Sequence, residues 1–313
     1  ATLEEAIELK DVIKDSMILV LGVTNPQNVK YAVENNVSLT CPSKEWLEES
    51  LVQLQQIEGK LKIHVKIDTG MGRIGTSDLE ELKEIDNLLD SEKLDFEGIF
   101  SHYSNADGDD DNYDNYQTEN FENTLNVVTH KPKYIHIENS AGTVKYSDRE
   151  DRYNLSRIGI ALYGCYPSGN IEKLDKVQLE PVASLISKVT HVKKFQAGQK
   201  LGYGVSYEAR QDEYIATVPI GYADGLLRRA QGFRIRVGFE ECEIVGRVCM
   251  DQLMVRCSEN VKVGDDVLFF GEYNGQKVSV NEFAEYQNTI SYEIFCCINK
   301  RVPRVYYNNK MEL

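Results

Sequence analysis

The chain lacks any uninterrupted apolar run near the roughly 18 residues that a membrane-crossing helix requires, and Met17–Val23 is the longest obvious candidate. It is also short of positive charge: 35 Lys and Arg stand against 50 Asp and Glu, a formal charge of −15. Phosphate backbones are gripped by clustered cations, so a general nucleic-acid-binding role is disfavoured. No cysteine pair has C-x-x-C spacing. The odd set Cys41, Cys165, Cys242, Cys249, Cys257, Cys296 and Cys297 reads as free thiols of a reducing cytoplasm rather than a disulfide framework. No signal-peptide pattern opens the chain, and neither does a methionine. The expectation from Ala1 is a processed terminus or an upstream segment that is missing.

What is present is globular composition, 42% apolar and 27% charged in 313 residues, enough for one large domain or two ordinary ones. Leu3, Ile7, Val12 and Ile13 have helix spacing, and Thr2 with Glu5 forms a capping box. Six short apolar strands then alternate with mostly helix-length segments: Met17–Gly22, Val37–Pro42, Lys62–Asp68, Phe96–His102, Tyr134–Asn139 and Arg157–Gly164. Such βα repetition predicts a parallel sheet. Beyond Val182 the segments Val182–Phe195, Lys200–Tyr207, Tyr214–Tyr222, Phe233–Val237, Cys242–Cys257 and Asp265–Phe270 are strand-like, with Gly-rich turns and little room for helices. That predicts an antiparallel β domain, with residues 1–178 in the first domain and 179–313 in the second. The acidic stretch Asp107–Asp114 reads as a solvated loop.

The third strand carries the clearest chemical signal. Ile63, Val65 and Ile67 alternate with Lys62, His64, Lys66 and Asp68. Either the polar set points into a barrel, where it must be paired or serve a site, or this is an edge strand with one wet face. Thr69-Gly70-Met71-Gly72-Arg73-Ile74-Gly75 follows at the strand's C-terminal end, where barrel active sites are built. Ser101-His102-Tyr103 closes another strand, Asn139-Ser140-Ala141-Gly142 follows the next, and Arg157-Ile158-Gly159-Ile160 opens the sixth. Hydroxyl and glycine amide groups at such ends suit a phosphate, although each alone is ordinary turn chemistry.

Taken together, Lys66–Gly75, His136–Gly142, Arg157–Gly164, Ile220-Gly221-Tyr222-Ala223-Asp224-Gly225, Gly246–Gln252, Ile290-Ser291-Tyr292-Glu293 and Arg301-Val302-Pro303-Arg304 resemble the alanine racemase family, in family order along nearly the whole chain. The resemblance implies a (β/α)₈ barrel followed by a β domain, pyridoxal 5'-phosphate as cofactor, and a homodimer with shared active sites that interconverts L- and D-alanine for peptidoglycan. It implies that Ser140, Gly159, Ile160 and Tyr292 hold the cofactor phosphate and that Arg157 donates to the pyridine nitrogen. A guanidinium can only donate, so that nitrogen stays unprotonated and the ring is a restrained electron sink, which disfavours side reactions. Arg73 matches the residue that steers cofactor phenolate and substrate, and Lys66 matches a lysine carbamylated in many members. Tyr222 matches one of two bases on opposite faces of the planar substrate–cofactor adduct, supplied across the dimer. A phenol needs tuning to act as a base at neutral pH, and His102 beside Arg157 is the implied contact. Met250 and Asp251 match pocket residues, and Tyr292, Asp107 and Arg247 match an entry corridor.

One family feature is absent from these residues. The second base and cofactor anchor is a lysine followed by Ala-Asn/Asp-Ala-Tyr-Gly, and no lysine here has that context. With six strands where a (β/α)₈ barrel needs eight, the expectation is a barrel incomplete at its start, an inactive chain as given, and sheet edges left unpaired. A non-catalytic scaffold, or a serine or broad-specificity racemase, are the alternatives. Tyr222 with Met250-Asp251-Gln252 favours a racemase over a decarboxylase.

Overall fold

A computed structural model describes residues 1–149, 153–308 and 311–312. The chain divides into two compact units, Ala1–Gly159 with Ser168–Val177, and Ile160–Pro167 with Gln178–Leu313.

The first unit opens with α1 (Leu3–Lys10), and its capping box forms as expected: Thr2 Oγ1 accepts from Glu5 N at 3.4 Å and the Glu5 carboxylate accepts from Thr2 N at 3.0 Å. Then follow β1 (Leu19–Val20), α2 (Val29–Glu34), β2 (Ser38–Cys41), α3 (Lys44–Leu54), β3 (Leu61–Lys66), α4 (Leu79–Leu88), β4 (Leu94–Phe100), α5 (Asn112–Val127), β5 (Tyr134–His136), α6 (Ser140–Lys145) and α7 (Gly169–Lys173). Side chains of Ser43, Asp78 and Ser168 accept from backbone N–H groups in the first turns of α3, α4 and α7, which is where those helices start. The five strands pair in parallel in sequence order. All four positions of β2 are buried, as in a parallel sheet covered on both faces. Strand β3 lies between β2 and β4, and its His64 and Lys66 are buried, so this is not the wet face of an edge.

One expectation needs correction here. Arg157–Gly164 is not a sixth strand among the described residues. The chain just ahead of it runs along the end of β5 through Asn154 N to Ile135 O at 3.0 Å, and Arg157 N bonds Glu138 O at 3.1 Å. From Ile160 the backbone turns into a 3₁₀ helix, Ile160–Tyr163, before a ladder can form. The backbone groups there are spent on turns, with Gly164 N bonded to Ala161 O.

The second unit is an antiparallel sheet. Its strands are β6 (Leu185–Lys188), β7 (His191–Phe195), β8 (Lys200–Leu201), β9 (Tyr207–Glu208), β10 (Glu213–Val218), β11 (Arg234–Val237), β12 (Glu240–Val245), β13 (Leu253–Cys257), β14 (Asp266–Tyr273) and β15 (Gln276–Val278). The main order is β15-β14-β11-β12-β13-β10-β7, with β6 on β14 and β8 paired to β9. Three segments each read as one strand are pairs of strands, because residues 189–190, 202–206 and 246–252 interrupt them. Helices are also present where little room was expected: α8 (Val280–Tyr286), with Ser279 accepting from Glu282 N, and α9 (Ser291–Cys297). Val280, Phe283 and Ala284 give α8 a buried face against the sheet core.

That core contains Ile235, Val237, Ile244, Val255, Val267 and Phe269, all fully buried. Truncating Phe269 to Ala removes a ring from a packed interior. Phe269→Ala should lower the unfolding free energy in urea by about 3–5 kcal/mol. A loss under about 1 kcal/mol would show that the sheet collapses around the void.

Candidate active site

The site residues of the first unit gather at the C-terminal ends of β3, β4 and β5. Lys66 closes β3, 2% exposed, donating from Nζ to Ile67 O at 2.6 Å. Burial lowers its pKa; Asp68 opposes this, and Arg157 and Arg73 add to it, leaving the ammonium at about 8. The following loop folds back over it, with Thr76 N bonded to Lys66 O at 3.2 Å and Asp68 N to Thr76 O at 2.8 Å. Gly75 makes this possible: at φ +107° a Cβ there would lie 2.7 Å from Lys66 O. Asp68 Oδ1 accepts from Gly70 N and Gly72 N, both at 3.0 Å. The fixed loop presents Arg73 to solvent, with no hydrogen bond or ion pair to the described residues.

Arg157 is half-buried at the centre of this set. Nη1 meets His136 Nδ1; Nη2 donates to Ser101 O at 2.7 Å and Ile137 O at 3.0 Å, and meets His102 Nδ1 at 3.1 Å. Because a guanidinium has five N–H donors and no acceptor, both facing Nδ1 atoms must be unprotonated. Burial, with Arg157 next, holds His102 down to about 4 and His136 lower still. Ser140, buried at the start of α6, accepts from Gly159 N at 2.8 Å. Asp107 is exposed, its carbonyl accepting from Ser168 Oγ at 2.6 Å.

In the second unit Tyr222 is not on a strand, since β10 stops at Val218. It starts a 3₁₀ turn, Tyr222–Asp224. Tyr222 N bonds Cys249 O and Ala223 N bonds Met250 O, each at 3.0 Å, so this turn and the Met250-Asp251 loop are one structure. Asp224 caps the turn from Gly221 N at 2.8 Å and pairs with Arg301 Nε at 2.7 Å; Arg301 Nη2 also reaches Asp251 Oδ1 at 2.5 Å. Tyr222, Met250 and Asp251 are thereby brought together and exposed. Arg247 is exposed beside the Tyr203–Val205 turn, Tyr292 is 41% exposed on α9, and Ile160 is buried at the head of its 3₁₀ helix. Asp224, Arg301 and His136 take part in these networks, and His64 and Glu97 lie in hydrogen-bond reach behind His136, without having been read as site residues. Asp224 and Arg301 were visible inside their motifs, and His64 and His136 as polar residues on strands.

The donor set can be tested against pyridoxal phosphate. Neither Nε–H of Arg157 nor the Arg73 guanidinium makes a hydrogen bond or ion pair to the described residues. A ligand with an acceptor-only ring nitrogen and anionic oxygens suits these groups, and Ser140 with the Gly159 amide adds phosphate-type partners. The residues fit.

Comparison with known proteins assigns the class. The model for "Alanine racemase, N-terminal domain" matches residues 1–167 and that for "Alanine racemase, C-terminal domain" matches 182–306. The alanine racemase of Ligilactobacillus salivarius (strain UCC118) is 44% identical over 310 residues, covering 98% of this chain and 82% of that protein. The crystal structure of alanine racemase from Bacillus anthracis with bound L-Ala-P is 38% identical with a TM-score of 0.92, covering 99% of this chain and 81% of that one. Histidine racemase from Leuconostoc mesenteroides subsp. sake is 29% identical with a TM-score of 0.89, covering 98% and 83%. Such likeness defines a curled, barrel-like parallel α/β domain with an antiparallel β domain, the architecture of a class of pyridoxal-phosphate-dependent isomerases. This chain belongs to the alanine racemase family.

The buried imidazoles make a pH prediction. In the unfolded chain His102 and His136 bind protons below about pH 6.5, whereas folded His102 does so only near 4 and His136 lower. The unfolded state therefore holds more protons below pH 6.5, and stability should fall from there toward pH 4 by up to about 1.4 kcal/mol per pH unit for each group. His130, raised by its hydrogen bond to Asp86, acts above this window. Urea unfolding at pH 7, 6 and 5 measures the slope; a flat or rising unfolding free energy toward pH 5 would exclude neutral burial of the pair.

Proposed function

We infer that this chain carries the machinery for interconverting L- and D-alanine with pyridoxal 5'-phosphate. The observation that supports the reading most is Arg157, fixed by two neutral imidazole acceptors and left with a free N–H donor. When bound, the cofactor would supply the electron sink that makes the substrate's α-hydrogen removable. Arg157 would donate to its ring nitrogen without surrendering a proton, and Ser140, Gly159, Ile160 and Tyr292 would hold its phosphate. Arg73 would steer the phenolate oxygen and the substrate carboxylate. Lys66 lies in a site where burial leaves a substantial neutral amine fraction, the form that attacks carbon dioxide. Carbamylated, it would turn from a neighbouring cation into an anion that orients Arg73.

Tyr222 would take or return the proton on one face of the substrate. Since Arg157 claims His102 Nδ1, the His102 proton sits on Nε2, from which it can donate to a phenolate. Tyr222, Met250 and Asp251 belong to the β unit, whereas Lys66, Arg73, Ser140 and Arg157 belong to the other, which supports a homodimer in which a partner supplies the tyrosine, with Asp107, Arg247 and Tyr292 flanking the entrance. A cytoplasmic enzyme furnishing D-alanine for peptidoglycan is the role that fits. Residues 1–313 contain no lysine in the family's anchoring context, so on their own they would bind the cofactor without a covalent link and turn over no alanine. The likeness to a histidine racemase favours one second reading, a racemase of another amino acid.

Three measurements test this. With the family's lysine segment supplied ahead of these residues, Tyr222→Phe should abolish α-deuterium exchange from one alanine enantiomer by about 10²–10⁴-fold and spare the other. Equal losses would remove Tyr222 from the role, and an amino-acid panel in the same assay separates alanine from other substrates. In residues 1–313 alone, borohydride treatment should leave no lysine-linked cofactor; a labelled tryptic peptide with alanine turnover would mean that another lysine is the anchor. With ¹³C-bicarbonate at pH 8, a carbamate carbon resonance should appear and vanish in Lys66→Ala; a resonance that survives would place the modification elsewhere.

A further inference from the structure

Behind Arg157 a row of buried polar groups crosses three strands of the first unit. His136 Nδ1 meets Arg157, His136 Nε2 lies 2.9 Å from His64 Nδ1, and His64 Nε2 lies 3.2 Å from Glu97 Oε2. The same Glu97 oxygen accepts from the Ser38 hydroxyl, and Lys62 Nζ stands 3.9 Å from Oε1. Both histidines are fully buried, and Glu97 is 8% exposed. None of the roles described above uses Glu97 or His64.

The backbone is built around this row. The β3–β4 ladder runs from Ile63↔Phe96 directly to His64↔Gly98, so Glu97 is the extra residue of a bulge, a device that re-aims a side chain. At Gly98 a Cβ would lie 2.2 Å from His64 Nδ1, so only glycine admits the ring there. Phe100 stacks on His136 at 4.8 Å and 8°, and Tyr134 on His64 at 6.0 Å and 15°.

The proton positions follow from one end. Arg157 can only donate, so His136 Nδ1 accepts and its proton is on Nε2. That proton is donated to His64 Nδ1, which leaves the His64 proton on Nε2, donated to Glu97. Any other arrangement leaves one imidazole with no proton or sets two donors face to face. Glu97 must be an acceptor: burial raises its pKa, but the hydrogen bonds from His64 and Ser38 outweigh this and hold it below the ordinary value. We propose that Glu97, acting through His64 and His136, is a positioning residue for Arg157, its carboxylate fixing both tautomers so that His136 Nδ1 is kept open to hold the guanidinium. The consequence for the cofactor rests on the reading of Arg157 given above; the tautomers do not.

The chain has five histidines, so ¹⁵N-histidine labelling yields an assignable spectrum. At pH 7, His64 and His136 should each show a protonated Nε2 and an unprotonated Nδ1. Glu97→Ala should admit the second tautomer at His64 and weaken pyridoxal phosphate binding about tenfold, the worth of one hydrogen bond to a charged group. Glu97→Gln, whose amide oxygen still accepts, should keep both tautomers and most of the affinity. A proton on Nδ1 of either histidine in the unmodified protein overturns the proposal and requires no variant to fold. So does a Glu97→Ala spectrum with unchanged tautomers. Shifted tautomers, with cofactor affinity unchanged in Glu97→Ala and Arg157→Lys alike, would keep the relay and remove Arg157 from the cofactor instead.

Discussion

A guanidinium with five donors and no acceptor, half-buried where three strands end, is the constraint on which the first unit is arranged. Its positive charge cannot be shed under ordinary conditions, so the neighbourhood must adapt to it. Two imidazoles turn their unprotonated nitrogens toward it, and the carbonyls of Ser101 and Ile137, each one residue past a strand end, accept from its Nη2. Lys66 becomes a reluctant cation beside it. A buried charge of this kind is costly unless its hydrogen bonds are satisfied. Here the satisfying groups come from the two residues after β4, the end of β5 and the residue after it, so a shift in either strand would be felt at the arginine.

The second unit solves a different problem. Tyr222 is 43% exposed, and an exposed residue has little packing to hold it. Its order is supplied by the backbone, through the carbonyls of Cys249 and Met250, and by one ion-paired arginine that reaches both Asp224 and Asp251. Ion pairs this open to solvent contribute little to global stability. Their effect is local, fixing two loops against each other.

Much of this was legible in the sequence, and the limits have physical causes. The parallel and antiparallel halves, the alternating polar face of β3 and the loop around Arg73 are local patterns, and local patterns survive without coordinates. Arg157–Gly164 looked like a strand because its residues are apolar, but apolarity does not decide between a ladder and a buried 3₁₀ turn. Helices α8 and α9 are seven residues each, two turns, too short to establish a period; only Ser279 with Glu282 marked the start of the first. Glu97 was invisible because the bulge that turns it inward breaks the strand alternation by which inward residues are recognised. The pairing of Asp224 with Arg301 spans 77 positions, and no pattern within either motif announces the other.

That long span has a consequence for the order in which the molecule acquires its parts. The row from Glu97 to Arg157 draws on residues 38–157, all made before any part of the second unit. The Tyr222 turn, by contrast, borrows its cap partner from Arg301 and a further backbone bond from Asn299 N to Asp224 O at 2.9 Å. A nascent chain emerging from the ribosome can thus complete its arginine–histidine row before Tyr222 is made, while the tyrosine turn must wait until Asn299 and Arg301 have been added. One set of contacts can mature early, and the other is withheld until a segment far downstream of the tyrosine has emerged.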